Sequence, residues 1–349
     1  MNKMSGNLKI FLIILIFGLP FWWGLNIFQK NLEDFLFWQE IAENPQILAS
    51  QTNLEILEKK LRSLKPRRNW EVKNLEIQAK SGLTVFTNEM GKQKIIFEKN
   101  SNQILPIASL TKLMTALIVL RDSKNYNFSK VITISKEAAS QENIPEGGNL
   151  KTGEKITIEK LLNLMLVQSS NDAAFALAEV LDIENFARVV EPSPLGSYPE
   201  VNSVLLRGVE KMNAQAEELG LENTHFVNPT GLDPENLKFS EETKNYFNYS
   251  TAQNLSKLAQ YILNEFPIIY EISTNKPAYP IKNGLSDLVF NKNIIGGKTG
   301  YTEEAQGCFL LILKSPKEKG YLINIILGSK DRLEEMKKLI NWINQAYKW

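Results

Sequence analysis

Three short clusters in this 349-residue chain carry residue types suited to acyl transfer. Ser109-Leu110-Thr111-Lys112 sets a hydroxyl and an amine three residues apart, which on a helix is one face. A lysine so placed takes the serine proton if burial and positive neighbours lower its pKa, and a helix N-terminus stabilises the alkoxide. Ser169-Ser170-Asn171 offers a second hydroxyl for proton shuttling and an amide to orient a substrate. Lys298-Thr299-Gly300 offers a cation for an anionic substrate end and a glycine that lets a substrate backbone come close. His225 and Cys308 are the single histidine and the single cysteine. A histidine base would therefore have to be His225, a Cys/His zinc site is not filled, and no intrachain disulfide forms. The expected chemistry is a serine nucleophile with a lysine base, needing neither metal nor cofactor.

Each short pattern recurs, so context has to choose. Another S-x-x-K runs from Ser273 to Lys276, S-x-N also occurs at Ser5–Asn7 and Ser123–Asn125, and Lys151-Thr152-Gly153 repeats K-T-G. Lys151-Thr152-Gly153 precedes Glu154-Lys155 and a helix, which reads as a turn. Ser273 has Pro277 close behind it, so no helix follows. Lys298-Thr299-Gly300 follows Gly296-Gly297 and is expected to lead into CFLLILK, a strand against which a substrate aligns. The bland alternative is capping, with Ser109 at one helix N-terminus and Ser170 or Asn171 at another.

The elements that must hold these residues follow from periodicity. LEIQAKSGLTVFT and KIIFEKN, parted by 88–92, form a hairpin, and an apolar helix runs from Ser109 to about Arg121. Helices follow at 158–167 and from Asn171 onward. Residues 183–204, with Pro192, Pro194, Gly196 and Pro199, read as a long surface loop, and 205–220 as a helix. CFLLILKS and YLINIILGS form a second hairpin before a closing helix, DRLEEMKKLINWINQAYK. Strands at both ends with helices between them define an α+β domain whose sheet joins the two ends.

Forty basic residues face thirty-nine acidic ones, so nothing in the charge balance points to nucleic acid. Residues 10–28 contain no charged side chain and as a helix would extend about 28 Å, close to a hydrocarbon core. Lys3 and Lys9 precede the segment and Glu33, Asp34, Glu40 and Glu43 follow it. The expectation is an uncleaved single-pass anchor in the cell membrane, with 1–9 cytoplasmic and the rest outside. Asn26-Ile27-Phe28 offers no signal-peptidase site. Residues 29–73 read as a helical connector, with Leu54, Leu57, Leu61 and Leu64 at helical spacing.

The segments ILPIASLTKLMTAL, LLNLMLVQSSNDAAFALAE, MNAQAEELGLENTHFVNPTGLD, YSTAQNLSKLA and GGKTGYTEEAQGC resemble the D-Ala-D-Ala carboxypeptidases of the S11 peptidase family, the low-molecular-mass penicillin-binding proteins. The resemblance covers 74–349 and implies a β-lactamase/penicillin-binding-protein-like α+β fold: an antiparallel sheet flanked by helices, with a mainly helical subdomain. It makes 183–204 an inserted loop. It implies that Ser109 is acylated, that Lys112 accepts its proton, and that Ser169 and Asn171 form the second catalytic element. Lys298, Thr299, Gly300 and Tyr301 then bind substrate, and the N–H groups of Ser109 and Tyr301 form an oxyanion hole. His225 falls in a structural loop near the site. The implied partners are a peptidoglycan stem peptide and β-lactam inhibitors. A D,D-endopeptidase stays open as an alternative. A β-lactamase would need Glu-x-x-x-Asn after the S-x-N motif, and 172–240 lacks it ahead of NPTGLD. A non-catalytic peptidoglycan-binding module would not need the full set.

Overall fold

The computed structural model describes residues 66–89, 91–121, 128–142, 149–189, 201–275, 293–316 and 320–349. The expected anchor at 10–28 lies outside them, as does the connector up to residue 65. Among the described residues no helix is long and apolar enough to cross a membrane.

A compact unit spans Arg67–Trp349, so it begins earlier than the expected boundary at residue 74. It opens with a short strand, β1 (Arg67–Arg68), followed by the hairpin β2 (Ser81–Asn88) and β3 (Gln93–Lys99). Strand β4 (Leu105–Pro106) leads through a 3-10 turn at Ala108–Leu110 into α1 (Thr111–Arg121). Beyond it lie β5 (Val131–Thr133), α2 (Lys136–Ala139), β6 (Lys155–Thr157), α3 (Ile158–Val167), α4 (Asn171–Val189) and α5 (Val201–Glu218). The chain returns through β7 (Tyr249–Ser250), α6 (Ala252–Glu265) and α7 (Ile268–Ser273). It then forms β8 (Ile294–Thr302), β9 (Gln306–Lys314), β10 (Gly320–Ser329), α8 (Arg332–Ala346) and β11 (Tyr347–Lys348).

The main sheet has the order β3-β2-β10-β9-β8, every pair antiparallel, and so unites both ends of the unit. The near-continuous apolar run of β9 follows from burial on both faces. Phe309, Leu311 and Leu313 point into the cluster under α8, with Met336, Leu339 and Ile343. Cys308, Leu310 and Ile312 point into the larger cluster with α1, α3 and α6. Helix α1 is buried from Thr111 to Leu120, as an all-round apolar helix must be. Each of its leucines contributes roughly 1.5–3 kcal/mol by leaving water, which pins the helix on every side.

Two expectations need correction. Residues 183–189 continue α4 and 201–204 begin α5, so a loop over 183–204 is too wide and the second helix starts four residues before 205. Residues 190–200, with the prolines that motivated the loop, lie outside the described residues. Lys298-Thr299-Gly300 lies within β8 rather than ahead of a strand. β8 is the sheet edge, whereas CFLLILK is β9 and is paired on both sides. The pairs Lys298↔Leu310 and Gly300↔Cys308 supply the ladder that the glycines conceal.

Candidate active site

Ser109 sits in the 3-10 turn before α1, at the edge of a cleft. Ala108, just before it, has φ +47°, a strained left-handed backbone held in place by its neighbours. No side-chain cap is made at this turn, and Ser109 Oγ instead lies 3.0 Å from Lys112 Nζ. Lys112 is fully buried. Its Nζ also meets Asn171 Oδ1 at 2.7 Å and the backbone carbonyl of Thr230. Burial, and then the Lys298 ammonium, hold its pKa well below the ordinary lysine value. A neutral amine has two hydrogens and one lone pair. Asn171 Oδ1 and the Thr230 carbonyl can only accept, so they take both hydrogens and leave the lone pair for the Ser109 hydroxyl.

Ser169, Ser170 and Asn171 do three separate things. Ser169 has φ +61°, and its hydroxyl accepts a hydrogen bond from Lys298 Nζ at 2.8 Å. Ser170 caps α4, accepting from the Ala173 N–H at 3.2 Å. Asn171 turns its oxygen to Lys112, while its Nδ2 donates to the Glu142 carbonyl. Lys298 is itself almost wholly buried and donates also to the Thr299 carbonyl at 2.8 Å. Burial first, and then the Arg332 guanidinium, lower its pKa to about 7. Both amines are therefore shifted toward the neutral form, Lys112 by burial and the Lys298 charge, Lys298 by burial and the Arg332 charge.

Strand β8 lies hard against Ser109. A methyl on Gly300 would come within 2.8 Å of the Ser109 nitrogen, so only glycine lets the strand pass. Tyr301 is 56% exposed and lines the cleft with Ser109, Ser169 and Asn171. The cleft has a volume of about 630 Å³ and continues over the 231–238 loop and the β8–β9 turn.

Several contributors carry no motif of their own. Thr230 and Glu142 act through backbone carbonyls, which no side-chain pattern reveals. Asn228 folds the loop that presents Thr230, its Oδ1 accepting from the Thr230 and Gly231 N–H groups. Arg332 is half-buried, its Nε has no hydrogen-bond partner among the described residues, and it is close enough to Lys298 to lower its pKa. The only trace of Arg332 in the sequence is a basic residue at the start of the closing helix. Two other copies of the motifs go elsewhere, while the S-x-N triplets at 5–7 and 123–125 lie outside the described residues. Ser273 is buried and donates to the Tyr270 carbonyl while accepting from the Gly297 N–H. Lys151-Thr152-Gly153 is a turn, with Gly153 at φ +81°. His225 does not line the cleft; its backbone pairs with Tyr249, and burial lowers its pKa.

The sheet and its flanking helices define the fold shared by penicillin-binding proteins and β-lactamases. The chain belongs to the S11 peptidase family, whose model, described as D-alanyl-D-alanine carboxypeptidase, matches residues 68–185 and 207–331. It is 30% identical to D-alanyl-D-alanine carboxypeptidase DacF of Bacillus subtilis, over 77% of this chain and 63% of that protein. It thus spans less than two thirds of that relative. It is 29% identical to a D-alanyl-D-alanine endopeptidase of Pseudomonas aeruginosa, over 77% of this chain and 79% of that one. Among solved structures, penicillin-binding protein D2 of Listeria monocytogenes in its ampicillin-bound form is 25% identical, with TM-score 0.58, covering 78% of this chain and 99% of that one.

Proposed function

We propose that this protein is a serine-type D-Ala-D-Ala carboxypeptidase that trims peptidoglycan stem peptides through an acyl-enzyme on Ser109. The observation that carries the reading is the fully buried Lys112 amine, held by Asn171 Oδ1 and the Thr230 carbonyl 3.0 Å from the Ser109 hydroxyl. Ser109 attacks the carbonyl of the penultimate D-Ala as Lys112 takes its proton. The Ser109 and Tyr301 N–H groups receive the oxyanion, each worth about 3 kcal/mol in the transition state. Lys298 holds the terminal carboxylate with Arg332 adding positive potential, Ser169 relays a proton to the leaving amine, and Asn171 orients the acyl donor. D-Ala leaves, and water releases the trimmed peptide. The substrate lies along the free edge of β8, with Thr299 and Gly300 beneath it.

Mass spectrometry after incubation with ampicillin should show one adduct on Ser109, absent in Ser109→Ala. D-Ala release from diacetyl-Lys-D-Ala-D-Ala should vanish in the same variant. An adduct that persists in Ser109→Ala or maps to Ser273 sinks the assignment. The Pseudomonas relative favours endopeptidase action as a second reading. It wins if cross-linked muropeptide dimers are cut while the tripeptide stays intact. Residues 10–28 support a retained anchor in the cell membrane with the domain outside. Protease added to intact spheroplasts should then degrade the domain, and release of a form lacking 1–28 would overturn the anchor.

A further inference from the structure

We propose that Glu179 is a positioning residue for acylation: from outside the cleft it clamps Ser135, and so fixes the segment whose Glu142 carbonyl sets Asn171 against Lys112. The inference rests on the Ser109 acyl-enzyme reading above and adds a supporting residue to it.

Helix α4 grips the 135–142 segment at both ends. At its first residue, Asn171 Nδ2 donates to the Glu142 carbonyl. Eight residues on, about 12 Å along the helix axis, Glu179 receives the Ser135 hydroxyl, which stands 2.9 and 3.0 Å from its two carboxylate oxygens. Between the two grips α2 packs on α4, with Ala138 wholly buried. The segment moves as one piece. Ser135 caps α2, accepting from the Ala138 N–H at 2.8 Å. The Ala139 N–H bonds back to the Ser135 carbonyl, the Ser140 N–H to that of Glu137 and the Gln141 N–H to that of Ala138. Gln141 Nε2 also donates to the Glu137 carbonyl at 3.1 Å. Tilting α2 therefore carries the Glu142 carbonyl with it. A hydroxyl that gives its hydrogen to a carboxylate is also a stronger acceptor, so Glu179 tightens the Ser135 cap.

At the site, the consequence falls on the Asn171 amide, which has an accepting end and a donating end. With Nδ2 held by the Glu142 carbonyl, Oδ1 faces Lys112 Nζ at 2.7 Å. If that carbonyl retreats, the amide is released to rotate, and an NH2 turned toward Lys112 offers it no acceptor. Lys112 then loses one of the partners that aim its lone pair at Ser109. The stability of α4 does not account for Glu179. The side chain is half-buried and forms no salt bridge among the described residues. Burial pushes its carboxyl up to about 6, with the Ser135 hydrogen bond opposing and the Glu137 charge adding. It is thus ionised at neutral pH, and a carboxylate desolvated without a cation is costly. Its printed hydrogen bonds both come from Ser135.

The test is the rate of Ser109 acylation by ampicillin, followed by stopped flow on the purified full chain in detergent, well below its melting point. Glu179→Ala should lower the limiting rate about tenfold, the scale of one lost charge-assisted hydrogen bond. The ampicillin concentration giving half that rate should stay within about twofold, because Lys298 and β8 are untouched. Glu179→Gln, whose amide oxygen still accepts the Ser135 hydroxyl, should return the rate to within about threefold of wild type. Ser135→Ala should match Glu179→Ala, and the double variant should be no slower than either, since both remove one clamp. Should Glu179→Ala fail to fold, Glu179→Gln and Ser135→Ala carry the same comparison. Wild-type rates in Glu179→Ala or Ser135→Ala overturn the inference. So do losses that add in the double variant, or a loss confined to the half-saturating concentration. If the wild-type chain is acylated on Ser109 and the variants match it, only this inference fails. If the wild-type chain is not acylated, the underlying reading fails with it.

Discussion

Lys112 and Lys298 are both buried, and each loses proton affinity chiefly for that reason. In the proposed mechanism their tasks are opposite, because one must be neutral to accept a proton and the other charged to hold a carboxylate. A lowered lysine pKa means the cation persists only below the new value. For Lys298 that value is about 7, so its anion-holding form fades as pH rises past neutrality. The alkaline limb of kcat/KM for D-Ala release should accordingly fall near pH 7, since this parameter reports the free enzyme. Lys298→Arg keeps a cation at all these pH values, so its residual activity should lack that limb. An unchanged limb in Lys298→Arg would assign it to another group. Lys298→Ala should lower kcat/KM roughly 30- to 150-fold, the size of a lost charge-assisted contact of about 2–3 kcal/mol. Lys151→Ala, in a surface turn, should change it by less than about twofold. Steady-state assays on the two alanine variants decide between the repeated motifs.

At the scale of elements, what could be read in advance was what periodicity carries. Helix α1 is apolar on all sides and α3 has a clear stripe, and the last hairpin consists of two apolar runs around a polar turn. The edge strand β8 was hidden, because Gly296-Gly297-Lys298-Thr299-Gly300 has no alternation and gains its strand character from pairing with β9. The division of labour among Ser169, Ser170 and Asn171 was hidden too, because it turns on one left-handed residue. So was the clasp of the Asn228–Asp233 loop on the nucleophile turn. Gly231 has φ +85°, and a methyl there would stand 2.0 Å from the Ala108 carbonyl oxygen. Gly231→Ala must therefore shift the loop, drawing the Thr230 carbonyl from Lys112 and Ala108 from its strained position. Ampicillin acylation should drop at least about 100-fold and stability by about 1–3 kcal/mol. Gly153 provides the comparison, with φ +81° and open space around it. Gly153→Ala should cost about 1 kcal/mol with acylation unchanged. Matching acylation losses in the two variants, followed by mass spectrometry, would mean that backbone strain alone is being measured.

At the scale of the whole unit, the first strands and the last meet, so the site depends on closing a long chain. β10 pairs with β2 on one side and β9 on the other, and β1 pairs with β11. Around that last pair the Arg68 guanidinium stands 5.0 Å from the Trp342 ring centre and 5.8 Å from that of Tyr347. Tyr347 donates its hydroxyl hydrogen to the Ile96 carbonyl at 2.7 Å, and Trp349 packs edge-on against Phe86. These contacts tie α8 across the sheet to β2 and β3, the strands farthest from β8. Removing residues 347–349 strips the edge pairing, one buried aromatic and its hydrogen bond. That combination should cost about 3–5 kcal/mol, the range for truncating a large core side chain. For a unit of this size the melting temperature should fall by roughly 8 to 15 °C. Residues 347–349 do not line the cleft that holds Ser109, so ampicillin should still acylate Ser109 in the truncated chain well below its melting point. A melting temperature within about 2 °C of the full chain would show that the strand pair decorates the sheet instead of closing it. Acylation lost at low temperature, with melting still cooperative, would show that the far edge is felt at β8 through β10 and β9.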